Sequence, residues 1–177
     1  MSTRPQPAQA GRTWKLGENV DTDVLAPGRY MKFGIDEIAR HCLEDLLPQF
    51  AATVRLGDVI VAGRNFGAGS SREQAPQALK HLGVAAVLAP SFAGLFYRNA
   101  LNLGLPVLVC EAAPTIADNQ PVTVDPETGE VRAGGALYRC EPIPAFLLAM
   151  VRDGGLLPHL EKALAQDKNK DQDRRQP

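Results

Sequence analysis

Three short apolar runs, each handed on through a glycine or proline, fix the class of fold open to this chain. Asp58-Val-Ile-Val-Ala62 lies between Gly57 and Gly63 and reads as a buried strand. Ser71 to Leu82 reads as a helix stopped by Gly83. Val84-Ala-Ala-Val-Leu-Ala89 gives a second strand closed by Pro90. Ser91 to Leu103 gives a second helix stopped by Gly104, and Val107-Leu-Val-Cys110 a third strand. Strand–helix–strand–helix–strand order demands parallel pairing with right-handed crossovers. The fold class is therefore α/β. Beyond it, Val122–Asp125 and Glu130–Arg132 flank Pro-Glu-Thr-Gly as a hairpin, and Ile143–Val151 and Leu156–Ala165 read as two helices parted by Gly154-Gly155.

A length of 177 residues suits one domain. Residues 1–12, polar and rich in Pro and Ala, read as a flexible lead-in. Residues 13–166 read as the folded domain, and 167–177, which hold no apolar side chain, as a disordered polar tail. The stripe Ile143, Phe146, Leu147, Met150 reads as core packing.

Charge balance excludes one class of partner. Nineteen Lys and Arg against 20 Asp and Glu leave no basic excess for nucleic acid. Met1 to Arg12 has no apolar leader core and no stretch is long enough to cross a bilayer, which points to a cytoplasmic protein. Cys42, Cys110 and Cys140 are widely spaced with no CxxC, so neither a disulfide framework nor a cluster-binding set is expected within this chain. His41, His81 and His159 show no metal-ligand spacing and read as structural or surface residues.

The chemistry is concentrated in Gly63-Arg-Asn-Phe-Gly67-Ala-Gly69-Ser70-Ser71-Arg72-Glu73-Gln74, which runs from strand to helix. Ser70 or Ser71 is placed to cap the helix, with Glu73 and Gln74 available for a reciprocal contact. A helix start offers free N–H groups and a positive dipole end, and Arg72 adds a planar fork for a carboxylate. A structural turn with a surface arginine is the plainer alternative. No lysine follows these glycines as a P-loop needs, Arg72 and Glu73 stand where a GxSxG elbow would need glycine, and the GxGxxG spacing is broken. What remains is an anion site containing a hydroxyl.

Gly-Ala-Gly-Ser-Ser-Arg-Glu-Gln-Ala-Pro resembles the serine loop of the aconitase superfamily, above all that of the isopropylmalate isomerase small subunits. Asp21-Thr-Asp-Val-Leu-Ala-Pro-Gly-Arg-Tyr30 is similar to that family's DTD segment, Gly57–Gly63 to its GD-strand, and Ser91-Phe-Ala-Gly-Leu-Phe-Tyr-Arg-Asn99 with Asn102 and Gly104-Leu-Pro106 to its SFA–FYRN segment. These segments are collinear over roughly residues 17–110. Ala68, where many relatives carry Cys, and Gly94, where arginine is common, are the departures.

The resemblance implies an aconitase-type swivelling β/β/α domain with a parallel strand–helix–strand core. It implies a hydro-lyase that dehydrates and rehydrates a small 2-hydroxy acid, with Ser70 as the base and Arg72 binding a substrate carboxylate. Ser71, Gly69, Arg29 and Lys32 are the further substrate-binding candidates. Asp21, Thr22 and Asp23 either border the site or form a capped turn. Lys32, on the segment expected to meet the substrate's variable group, either points inward or into solvent. The Lewis acid would be a [4Fe–4S] cluster held by a large aconitase-like partner subunit, with no metal on this chain. Isopropylmalate in leucine biosynthesis is the first reading of the substrate. Homoaconitate or another substituted malate is the second, and a non-catalytic anion-binding module is an alternative of another class.

Overall fold

The computed structural model describes residues 11–173. Strand β1 (Gly11–Lys15) is followed by short helices α1 (Thr22–Leu25), α2 (Ile35–Arg40) and α3 (Phe50–Thr53). Then come β2 (Val59–Val61), α4 (Gln74–His81), β3 (Ala86–Ala89), α5 (Gly94–Asn102) and β4 (Val107–Val109). A three-stranded antiparallel stretch, β5 (Pro121–Asp125), β6 (Glu130–Ala133) and β7 (Ala136–Arg139), precedes α6 (Ala145–Arg152) and α7 (Leu156–Asp173).

The seven strands form one sheet in the order β4-β3-β2-β1-β5-β6-β7. Strands β1 to β4 are mutually parallel, with Ile60 set between Trp14 and Val87, and Val87 between Ile60 and Val107. Every residue of β2 and β3 is buried, which is why these strands read as unbroken apolar runs. The expected α/β core with parallel pairing is present.

Strand β1 begins at Gly11, so Gly11 and Arg12 belong to the sheet rather than to the lead-in. Its place is set by tertiary contacts: the Trp14 indole N–H donates to Asp58 at 2.9 Å, and its ring meets Phe50 edge-on with centroids 5.0 Å apart. The rest of the lead-in, residues 1–10, lies outside the described residues. Helix α7 carries its backbone through residues 167–173, where the tail was expected to lose order; 174–177 lie outside the described residues. Phe146 corrects the apolar stripe, for it is 73% exposed while Ile143 and Met150 are buried.

Asp58 ties β1 and β2 to the segment before them. Its carboxylate accepts the Arg12 and Arg55 backbone N–H groups and the Trp14 indole, each at 2.9 Å. Burial pushes its carboxyl up, yet those donors and the Arg12 guanidinium outweigh burial and hold it below the usual carboxylate value. Asp58→Asn turns an amide N–H₂ towards donors, and is expected to destabilise the fold by about 2 kcal/mol near neutral pH in urea unfolding. Because the folded-state value is lowered, Asp58 stabilises above the ordinary carboxylate pKa and loses that contribution as pH falls through the lower one. The gap between parent and variant should therefore narrow below about pH 4. A constant gap into acid would disprove this account.

Candidate active site at the carboxyl edge of the parallel strands

Segments leaving β1, β2 and β3 emerge at the same edge of the sheet and stay hydrogen-bonded beyond it. On one side, Gly63 N–H donates to Gly17 O, Asn19 N–H to Arg64 O, Gly67 N–H to Val20 O and Thr22 N–H to Ala68 O, at 2.7–3.0 Å. On the other, Phe66 N–H donates to Ser91 O at 3.1 Å and Ala93 N–H to Phe66 O at 2.9 Å. The glycine loop is thus a central strip between the DTD segment and the Ser91–Ala93 segment. Phe66, wholly buried, pins it against Phe92 and Phe96.

Two glycines meet conformational needs here. Gly67 and Gly69 have φ of 79° and 98°, values costly to a residue with a Cβ. Their turns lift Gly69, Ser70 and Ser71 to an exposed tip. Beneath it, the buried Thr22 hydroxyl accepts the Ser70 backbone N–H at 3.1 Å, so the main chain of Ser70 is anchored. Its own hydroxyl has no hydrogen-bond partner among the described residues.

The expected serine cap is not made. Helix α4 starts at Gln74, its cap position is Glu73, and no side chain bonds its first turn. Pro76 gives the reason. A helix from Ser71 would put Pro76 in its interior, against the Arg72 carbonyl, whereas a start at Gln74 leaves it in the tolerated first turn. The dipole's positive end accordingly lies beyond the serine pair.

Arg72 folds back over the DTD segment. One guanidinium nitrogen, Nη1, donates both to the Asp23 carboxylate and to the Ala26 carbonyl, the latter at 3.0 Å. The Arg72 bond, helped by the Gly28 N–H at 3.0 Å, holds the Asp23 carboxyl below its usual range. Asp21 caps α1, accepting the Asp23 and Val24 N–H groups at 2.9 Å. The DTD residues form the capped turn, and that turn lies beside the serine loop through the Thr22 contacts to Ala68 and Ser70.

Two substrate-binding candidates make no hydrogen bond to this group, although, besides the Arg72 bond, the Arg29 charge helps to lower the Asp23 carboxyl. Arg29 pairs with Glu44 and with Asp45, the latter at 3.2 Å, and leans over the Tyr30 ring. Tyr30 stacks on His41 with centroids 3.6 Å apart, and His41 is itself hydrogen-bonded to Glu44 at 2.5 Å. Lys32 is exposed, its ammonium 5.1 Å from the centre of the Phe33 ring.

Known proteins share this architecture. The Aconitase C-terminal domain family matches residues 50–112, from α3 through the serine loop to just past β4. The methanogen homoaconitase small subunit of Methanothermobacter thermautotrophicus is 50% identical over 157 residues, 87% of this chain and 91% of that one. The 3-isopropylmalate dehydratase small subunit of Syntrophus aciditrophicus is 46% identical over 86% of this chain and 95% of its own length. The solved structure of the 3-isopropylmalate dehydratase chain of Methanocaldococcus jannaschii superposes with a TM-score of 0.86 at 39% identity, covering 92% of this chain and 98% of that one. The chain belongs to the 3-isopropylmalate dehydratase small-subunit family of the aconitase superfamily.

Within that family frame, the geometry sorts the candidates. Ser70, Gly69, Arg72, Thr22 and Asp23 converge, with Asp21 and Ser71 at the margin. Arg29 and Lys32 do not reach them through any hydrogen bond among the described residues. Thr22 gains a specific contact that the DTD pattern did not assign, namely the Ser70 backbone. Lys32→Ala is accordingly expected to change stability by less than about 0.5 kcal/mol, as for an ordinary surface site. A loss of more than about tenfold in kcat/KM confined to a tricarboxylate substrate would instead put the lysine in the pocket.

Proposed function

We propose that this chain provides the small-subunit half of a hydro-lyase active site that interconverts 2-isopropylmalate and 3-isopropylmalate in leucine biosynthesis. The observation that carries the reading is the exposed Gly69-Ser70-Ser71 tip, its backbone fixed by Thr22 and its neighbour Arg72 held by the DTD turn. Two relatives named 3-isopropylmalate dehydratase small subunit, 45–46% identical over 86% of this chain, support the choice of substrate. In this proposal Ser70 removes the proton adjacent to a carboxylate, and Arg72 binds a substrate carboxylate so that the reacting carbon faces the serine oxygen.

Among the described residues, no three His, Cys, Asp or Glu side chains gather to hold a metal ion, so this chain's donor set does not fit an iron–sulfur cluster. A large aconitase-like subunit would hold it, and when bound there it supplies the Lewis acid for the departing hydroxyl. That subunit would also cover the serine tip and exclude water, which strengthens the electrostatic contacts of Arg72.

A homoaconitase small subunit is the second reading, favoured by the 50% identity to the methanogen protein. Co-expression with an aconitase-like large subunit, followed by assays on 3-isopropylmalate and homoisocitrate, separates the two. The expected result is a complex that turns over 3-isopropylmalate, with neither subunit active alone. Turnover of the tricarboxylate only would transfer the assignment to homoaconitase, and failure to associate with any such subunit would overturn both.

A further inference from the structure

Arg72 uses one corner of its guanidinium for its own protein. Nη1 carries two hydrogens, and its two acceptors, Asp23 Oδ1 and the Ala26 carbonyl, use both. Nη2 and Nε have no hydrogen-bond partner among the described residues. These two N–H groups form the side edge of the fork, which matches the two oxygens of a carboxylate.

Gly28 lies beside Nη2, one of the two nitrogens of that edge. A Cβ there would sit 3.5 Å from Arg72 Nη2 and 3.3 Å from Asp23 Oδ1, so a larger side chain would stand over the nitrogen. Gly28 is not among the glycines of positive φ, so its backbone conformation is open to any residue. What glycine provides at this position is empty space. Its N–H meanwhile completes the hold on Asp23 at 3.0 Å.

Resting on the reading that Arg72 takes a substrate carboxylate, we propose that the carboxylate binds along the Nε–Nη2 edge, that Asp23 is the positioning residue presenting that edge, and that Gly28 keeps it open. Asp23 thus acts through Arg72 and does not touch substrate. A plain surface ion pair would predict no kinetic consequence of losing Asp23. A positioning pair predicts a selective weakening of substrate binding, because the Arg72 contact is made in ground state and transition state alike.

The test uses the two-subunit enzyme carrying Asp23→Leu, Asp23→Asn and Gly28→Val in this chain, with association checked by gel filtration. Asp23→Leu keeps the bulk and removes the acceptor, and is expected to raise KM about tenfold or more while kcat stays within about threefold. Asp23→Asn retains an acceptor oxygen for Arg72 and Gly28, and should return KM to within about threefold of the parent. Gly28→Val should raise KM on the scale of Asp23→Leu. Parent KM in both Asp23→Leu and Gly28→Val, or an Asp23→Asn defect as large as that of Asp23→Leu, would overturn the proposal. A second readout needs no turnover: the Arg72 Nε–H resonance in NMR should shift when malate is added to the parent chain and stay put in Gly28→Val. That shift in an assembled enzyme inactive on both hydroxy acids would uphold the presented edge and sink the isomerase reading. Its absence from the parent chain, together with unchanged variant kinetics, would sink the edge itself.

Discussion

Ser70→Ala is expected to lower kcat of the assembled enzyme by about 10²–10⁴-fold while leaving this chain folded and able to associate, the range for a lost general base. The fold should survive because the native hydroxyl bonds nothing among the described residues, and the Ser70 backbone N–H keeps its Thr22 acceptor in the variant. Ser71→Ala is the matched control. Ser71 is equally exposed and does not cap α4, so its loss should move stability by less than about 0.5 kcal/mol. Equal turnover in the two alanine variants would remove Ser70 from the role of base, and a loss confined to Ser71→Ala would exchange their roles.

Magnitude shows what must activate that serine. A helix dipole contributes at most ~2 kcal/mol, and only within its first turn. With α4 beginning at Gln74, Ser70 lies outside even that reach. In the proposed mechanism activation would therefore fall to groups brought in when a partner covers the tip, since Arg72 Nη1 is already paired with Asp23 and Ala26. This agrees with the expectation that the chain is inactive by itself.

The parallel core was legible because strands buried on both faces write themselves as continuous apolar runs, as Val59–Val61 does. The antiparallel end was half legible. β5 and β6 were visible from the Pro-Glu-Thr-Gly turn between them, whereas β7 was missed although Gly134-Gly135, both at positive φ, is a strong two-residue hairpin signal between β6 and β7. Pro76 likewise marked the true start of α4 and was available in the sequence. Other features were not readable locally. Arg29 spends its charge on Glu44 and Asp45, 15 and 16 residues further on, and no local pattern announces such pairing. The site candidates came from four collinear segments, whereas the edge of Arg72 left free depends on where the fold brings Asp23 and the Ala26 carbonyl, 49 and 46 residues away.

Gly67→Ala is the stability change expected to be largest. Its Cβ would lie 2.2–2.4 Å from Cγ and Cβ of Phe96, far inside contact distance. Phe96 is buried between Phe66 and Phe92, so its ring has no open side to move into. Overpacking of this kind costs about 1–3 kcal/mol, and the left-handed backbone adds about 1 kcal/mol for a residue with a Cβ. A loss of about 3 kcal/mol in denaturant unfolding is expected. Phe96→Leu vacates the ring edge, so the double variant should be less destabilised than the sum of the singles by about 1 kcal/mol or more, the signature of residues in contact. Strict additivity would show that Gly67 is needed for its backbone angle alone. Coupling would show that the SFA–FYRN segment shapes the serine loop through Phe96, whose ring limits how far the chain can descend before it rises to Ser70.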